Sequence, residues 1–172
     1  MYKKILVPLD GSELAECVLP HVAAIAGGCG VTSVTFLRVI EPYYLHAAMY
    51  AATGYGISLG LREEDIEKID AENRSAAEKY LSEVVSRAKY KGAQVQGEVF
   101  MGKAAEGIVD YAAKNGCDLI IIATHGRSGL SRWVWGSVAD RVLRSANVPV
   151  LMVRALAHAG EEPAPAPKKS KK

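Results

Sequence analysis

The 172-residue sequence is short of several things that would place it in a specialised class. It has three cysteines, Cys17, Cys29 and Cys117, far apart and in no C-x-x-C pair. That count and spacing suggest neither a disulfide framework nor a zinc site, and a reducing compartment, the cytoplasm, is the expected location. It lacks a charge excess. The formal net charge of +2 is carried by Lys168, Lys169, Lys171 and Lys172 against Glu161 and Glu162, so residues 1–154 sum to zero. A dedicated nucleic-acid binder is therefore not expected. Near the start, only Ile5 to Leu9 form an apolar run before Asp10, too short for a secretory core. Residues 42–61 contain no Asp, Glu, Lys or Arg, close to a membrane-spanning length. Their Gly54, Gly56, Gly60, Pro42 and four tyrosines make them a surface loop or lid rather than a span. No internal repeat is found.

What is present reads as alternating β and α. "KILVPL", "VTFLRVI", "DLIIIA" and "VPVLMV" are continuous apolar runs, the pattern of strands covered on both faces. "QVQGEVF" alternates apolar Val95 and Val99 with polar residues and reads as an edge strand. Helices are predicted over 12–26, closed by Gly27 and Gly28, over 63–91, stopped by Gly92, and over 104–115, ended by Gly116. A fourth begins at Gly136 and Ser137, with Val138, Val142 and Leu143 assigned to its inner face. Five strands and four helices in strict alternation imply an α/β fold, an open five-stranded parallel sheet with helices on both faces. In such sheets the ligand crevice lies at the carboxyl ends of the strands, where strand order reverses. A single domain over 1–154 and an Ala/Pro/Lys-rich disordered tail over 155–172 are expected.

Three glycine patterns compete as phosphate loops. "GEVFMGKA" has Walker A spacing, but Ala104 stands where a Mg²⁺-binding hydroxyl belongs and Gly97 falls inside a predicted strand. "GYGISLG" lacks a strand before it and a helix at the right place. The third, "THGRSGLSRWVWGSVADRV", follows a buried strand and opens a helix. Unbonded N–H groups and the positive dipole end at Gly136, Ser137 and Val138 make an anion site there. The competing reading is that Gly126 and Gly129 only turn the chain and Ser137 only caps a helix. His125 has no triad around it, and Trp133 and Trp135 read as packing residues.

The segments "ILVPLDGSE", "ATHGRSGLSRWVWGS" and "ANVPVLMVR" resemble the universal stress protein family over about residues 2–154. The nucleotide-binding branch carries glycine, two residues, glycine, nine residues, then glycine with serine or threonine. Gly126 and Gly136-Ser137 match that motif, and Ala123 stands where the first glycine belongs. The resemblance implies an adenine-nucleotide alpha-hydrolase-like sheet of order 3-2-1-4-5 that binds ATP, or ADP or AMP, with Mg²⁺ arriving on the nucleotide. It places Pro8, Leu9 and Asp10 along adenine and ribose, and the backbone of Val39 at the adenine edge. Ile122, Ala123 and Gly126 would approach ribose and phosphates, Arg127 and Ser128 would lie beside the phosphates, and Gly136, Ser137 and Val138 would donate to them. It implies no catalytic residue and no protein metal ligand.

The resulting expectation is an ATP-binding sensor or regulatory module with slow or no hydrolysis and an unidentified protein partner. It is expected to dimerise with a second copy through the last strand, Val148 to Val153, with no membrane and no nucleic acid. The alternatives are a nucleotide-independent interaction module of the same fold, or a slow ATPase or adenylyl transferase. An adenylyl transferase would want catalytic carboxylates and a glycine-rich serine loop that "PLDGSE" does not supply.

Overall fold

The computed structural model describes residues 1–43, 62–124 and 136–155. Its elements in chain order are β1 (Lys4–Pro8), a 3-10 turn (Ala15–Val18) running into α1 (Leu19–Cys29), β2 (Ser33–Ile40), α2 (Glu63–Arg87), β3 (Gln94–Met101), α3 (Ala104–Asn115), β4 (Leu119–Ala123), α4 (Ser137–Ser145) and β5 (Val150–Val153). All pairings are parallel and the strand order is β3-β2-β1-β4-β5. The alternating strand, the one with a polar face, is at one edge; β5 is at the other.

Apart from β3, the strands are largely apolar because both faces are covered. Ile5, Val7, Phe36 and Ile121 face one layer with Val22 of α1 and Leu81 and Val84 of α2. Leu6, Leu37 and Ile120 face the other with Ile108 of α3 and Val142 of α4. One buried polar side chain, Thr35, accepts a hydrogen bond from Gln96 at 3.2 Å. At the amino ends of the strands, Asp118 receives the backbone N–H groups of Lys3 and Lys4 at 2.7 and 3.1 Å, fastening β1 to β4.

Several helix limits differ from the sequence expectation. The first helix begins later because Asp10 and Ser12 form their own side-chain turn, and Ser12 Oγ then accepts from the Ala15 N–H at 3.2 Å. It also runs through Gly27 and Gly28, which lie in open space, and stops at Gly30 in the left-handed conformation. α2 ends at Arg87, short of Gly92, where Ala88 turns extended and its N–H bonds back to Val84 and Val85. The inner face of α4 is Ala139 and Val142; Val138 and Leu143 are 37% and 41% exposed. Gly97 lies inside β3, and a Cβ there would stand 2.9 Å from Leu81 Cβ, so its smallness serves strand–helix packing. Among the described residues no helix is long and apolar enough to cross a membrane. Residues 44–61, 125–135 and 156–172 lie outside the described part, and with them most of the 42–61 loop, "GYGISLG" and the tail.

Candidate functional site

The sheet opens where its strand order reverses. β1 pairs with β2 along its whole length, through Pro8 and Leu37, but with β4 only at Ile5–Leu119 and Leu6–Ile120. Pro8 has no N–H to donate, so at that position β1 offers only its carbonyl. The Leu9 N–H then donates to Leu37 O at 2.9 Å on the β2 side. Beyond Leu6 a cleft of about 440 Å³ lies at the carboxyl ends of β1, β2 and β4, within the range of small-molecule sites.

Three elements build its walls. From β1 and the following turn come Pro8, Leu9 and Asp10. Asp10 Oδ1 accepts the Ser12 N–H at 2.9 Å and the Ser12 hydroxyl at 2.5 Å, which fixes the carboxylate in place. From β2 and the start of α3 come Leu37, Arg38, Val39, Ala104 and Ile108. Here Glu41 accepts the Ala104 N–H at 3.2 Å and so caps α3. From β4 and α4 come Ile122, Ala123, Thr124, Gly136, Ser137, Val138 and Ala139.

The α4 end carries the anion chemistry. The Gly136 N–H is engaged by Thr124 O at 2.9 Å, and the first helical bond runs from Asp140 N–H to Gly136 O at 3.0 Å. That leaves the N–H groups of Ser137, Val138 and Ala139 outside the helical ladder at the positive end of the dipole. The expectation that Gly136 donates its N–H to phosphate is corrected by its bond to Thr124. Its role is close packing, because a Cβ on it would lie 2.9 Å from that same carbonyl oxygen.

Other proteins share this fold. The model of the universal stress protein family matches residues 1–154. The chain belongs to the universal stress protein family. The universal stress protein MJ0531 of Methanocaldococcus jannaschii is 31% identical over 157 residues, 90% of this chain and 83% of its own length. The solved structure of MJ0577 from the same organism superposes with a TM-score of 0.74 at 29% identity, covering 91% of this chain and 99% of that one. The structure of the universal stress protein from Archaeoglobus fulgidus in complex with dAMP has a TM-score of 0.54 at 27% identity, covering 88% and 97%.

Within this universal stress protein domain, nine of the twelve residues singled out from sequence border one cleft: Pro8, Leu9, Asp10, Val39, Ile122, Ala123, Gly136, Ser137 and Val138. The other three, Gly126, Arg127 and Ser128, lie outside the described residues, as do His125, Trp133 and Trp135. Sequence reasoning missed Ala15, Leu37, Arg38, Ala104, Ile108, Thr124 and Ala139 in the lining. Arg38 gave a signal, a lone charge in an apolar run; the others gave none. Ala123 is the last residue of β4 and pairs with Val153, so its backbone is ordinary strand. Burial pushes the thiols of Cys17 and Cys117 above their ordinary pKa, so neither is an activated nucleophile. Among the described residues no cluster of three or more His, Cys, Asp or Glu could hold a metal ion.

Proposed function

We propose that this universal stress protein binds an adenine nucleotide, ATP, ADP or AMP, in the cleft between β1 and β4, and works as a nucleotide-dependent regulatory module rather than as an enzyme. The observation that carries the reading is the pairing of two unlike ends in one cleft. The unladdered N–H groups of Ser137, Val138 and Ala139 with the Ser137 hydroxyl suit phosphate, and the fixed carboxylate of Asp10, on the β1 side of the cleft, suits ribose hydroxyls. Leu37, Val39 and Ile108 give an apolar slot for a base. The dAMP complex of the Archaeoglobus fulgidus relative supports a nucleotide as the ligand. Mg²⁺ would be held chiefly by phosphate oxygens. The working state in this reading is a cytoplasmic homodimer joined through β5, with a nucleotide-dependent surface for an unidentified protein partner. Denaturing the purified protein and weighing the released small molecule by mass spectrometry tests the reading, together with calorimetric titration of the nucleotide-free protein with ATP. Release of an adenine nucleotide and micromolar or tighter binding are expected. No nucleotide released and no heat at millimolar ATP would reduce the protein to an interaction module.

A further inference from the structure

We propose that Arg38 is a positioning residue for the nucleoside end of the cleft, its guanidinium setting the turn after β1 so that the Asp10 carboxylate is presented to the ligand. The inference rests on the adenine-nucleotide reading above. Arg38 is the one charged residue of β2, between buried Leu37 and half-buried Val39. Strand alternation points it to the same side as Val34 and Phe36, under the 3-10 turn and α2. Drawing a guanidinium into that layer is unfavourable unless it is compensated, and its Nη1 is buried.

What it packs against is the turn itself. Gly11 has φ +78°, and a Cβ on it would stand 2.7 Å from Arg38 Nη1, 3.3 Å from Cζ and 3.5 Å from Nη2. Gly11 is required by its left-handed backbone, and the guanidinium packs close against it. Asp10 precedes it directly and is locked by Ser12. The far end of the same turn is held independently. Glu16 accepts the Tyr80 hydroxyl at 3.1 Å and Arg87 Nη2 at 3.1 and 3.3 Å, both from α2. Burial, then Glu16, push the Tyr80 hydroxyl well above its ordinary pKa, with Arg38 opposing and Asp10 adding. Tyr80 thus stays a proton donor, and the four side chains share one electrostatic neighbourhood.

The test compares wild type, Arg38→Met and Arg38→Lys by calorimetric titration with ATP and with adenosine, with Asp10→Asn measured alone and combined with Arg38→Met. The expected result is an affinity loss on the order of tenfold, equal for ATP and adenosine, in Arg38→Met. Asp10→Asn should then weaken binding less in the Arg38→Met background than in wild type. If Arg38→Met does not fold, the same equal loss in Arg38→Lys, which keeps the charge without the planar fork that packs on Gly11, carries the result. Unchanged affinity, strict additivity with Asp10→Asn, or a loss confined to ATP, which would mean direct contact with phosphate, overturns the proposal. A wild-type protein that binds neither ATP nor adenosine overturns instead the nucleotide reading beneath it.

Discussion

Gly136 and Thr124 close on each other at the foot of the phosphate end: the Gly136 N–H donates to Thr124 O at 2.9 Å, and any Cβ on Gly136 would meet that oxygen at 2.9 Å. With φ at −53°, the backbone at Gly136 is one any residue adopts, so the glycine is there for proximity. The contact fastens the two ends of residues 125–135, and Thr124 N–H in turn donates to Val153 O at 2.9 Å. Gly136→Ala should force the start of α4 away from β4. The expected outcome is a loss of roughly 1–3 kcal/mol of stability by denaturant unfolding, the range of a broken buried backbone bond. ATP affinity should fall with it, measured calorimetrically on the folded fraction.

Ser137 tests the anion site without disturbing that contact. Its side chain is exposed at the first turn of α4 and makes no bond needed by the fold among the described residues. Ser137→Ala should leave the melting temperature nearly unchanged and weaken ATP by about 1.5–3 kcal/mol, one charge-assisted hydrogen bond. Adenosine affinity should be unaffected. An equal loss for adenosine would move the phosphate elsewhere.

The fold was legible in the sequence because hydrophobic continuity and alternation are local signals of burial. "DLIIIA" reads as a doubly covered strand and "QVQGEVF" as an edge. The family resemblance supplied the strand order, which periodicity does not encode. The phase of α4 was misread because Val138 and Leu143 are more apolar than Ala139, yet the close approach of the helix to the sheet selects the small residue. Arg38 went unassigned for the same kind of reason: its partner, Gly11, is distant in sequence, and only the β1–β2 pairing brings the two together.

Ala123 can now be weighed physically. Because it is strand, paired with Val153, a glycine there relieves no backbone strain. Ala123→Gly should change ATP affinity by less than about threefold, since only a methyl is removed from the cleft wall, and should lower stability by about 0.5–1 kcal/mol through chain entropy. Titration and thermal melting of one preparation check both. A gain of tenfold or more in affinity would show that the methyl itself obstructs the ligand.

The outer side of β5 carries the expected dimer contact. Leu151 is 37% exposed on an edge strand, with Val150 and Met152 half-buried beside it. An apolar edge of this kind is stabilised by a second copy related by a two-fold axis. Leu151→Lys should yield a folded monomer at micromolar concentration where the wild type is dimeric, read by light scattering. A wild type that is already monomeric would remove β5 as the interface.

The last expectation is slow turnover. Hydrolysis requires a positioned water, a group to orient it, and charge stabilisation as the terminal phosphoryl group departs. The α4 end of the cleft supplies N–H groups and a hydroxyl, which suit ground-state phosphate. Among the described residues the one carboxylate in the lining is Asp10, on β1 rather than at the α4 end, with Oδ1 already engaged by Ser12. Asp140 is turned to Arg144 at 2.9 Å, and the sequence from 123 to 138 contains no Asp or Glu. Interactions equal in ground and transition states give affinity with little rate. Steady-state phosphate release with Mg²⁺ and saturating ATP should therefore run far below the roughly 1–1,000 per second typical of enzymes. Turnover near one per second that Ser137→Ala abolishes would make the protein an ATPase and require a water-orienting group from outside the described residues.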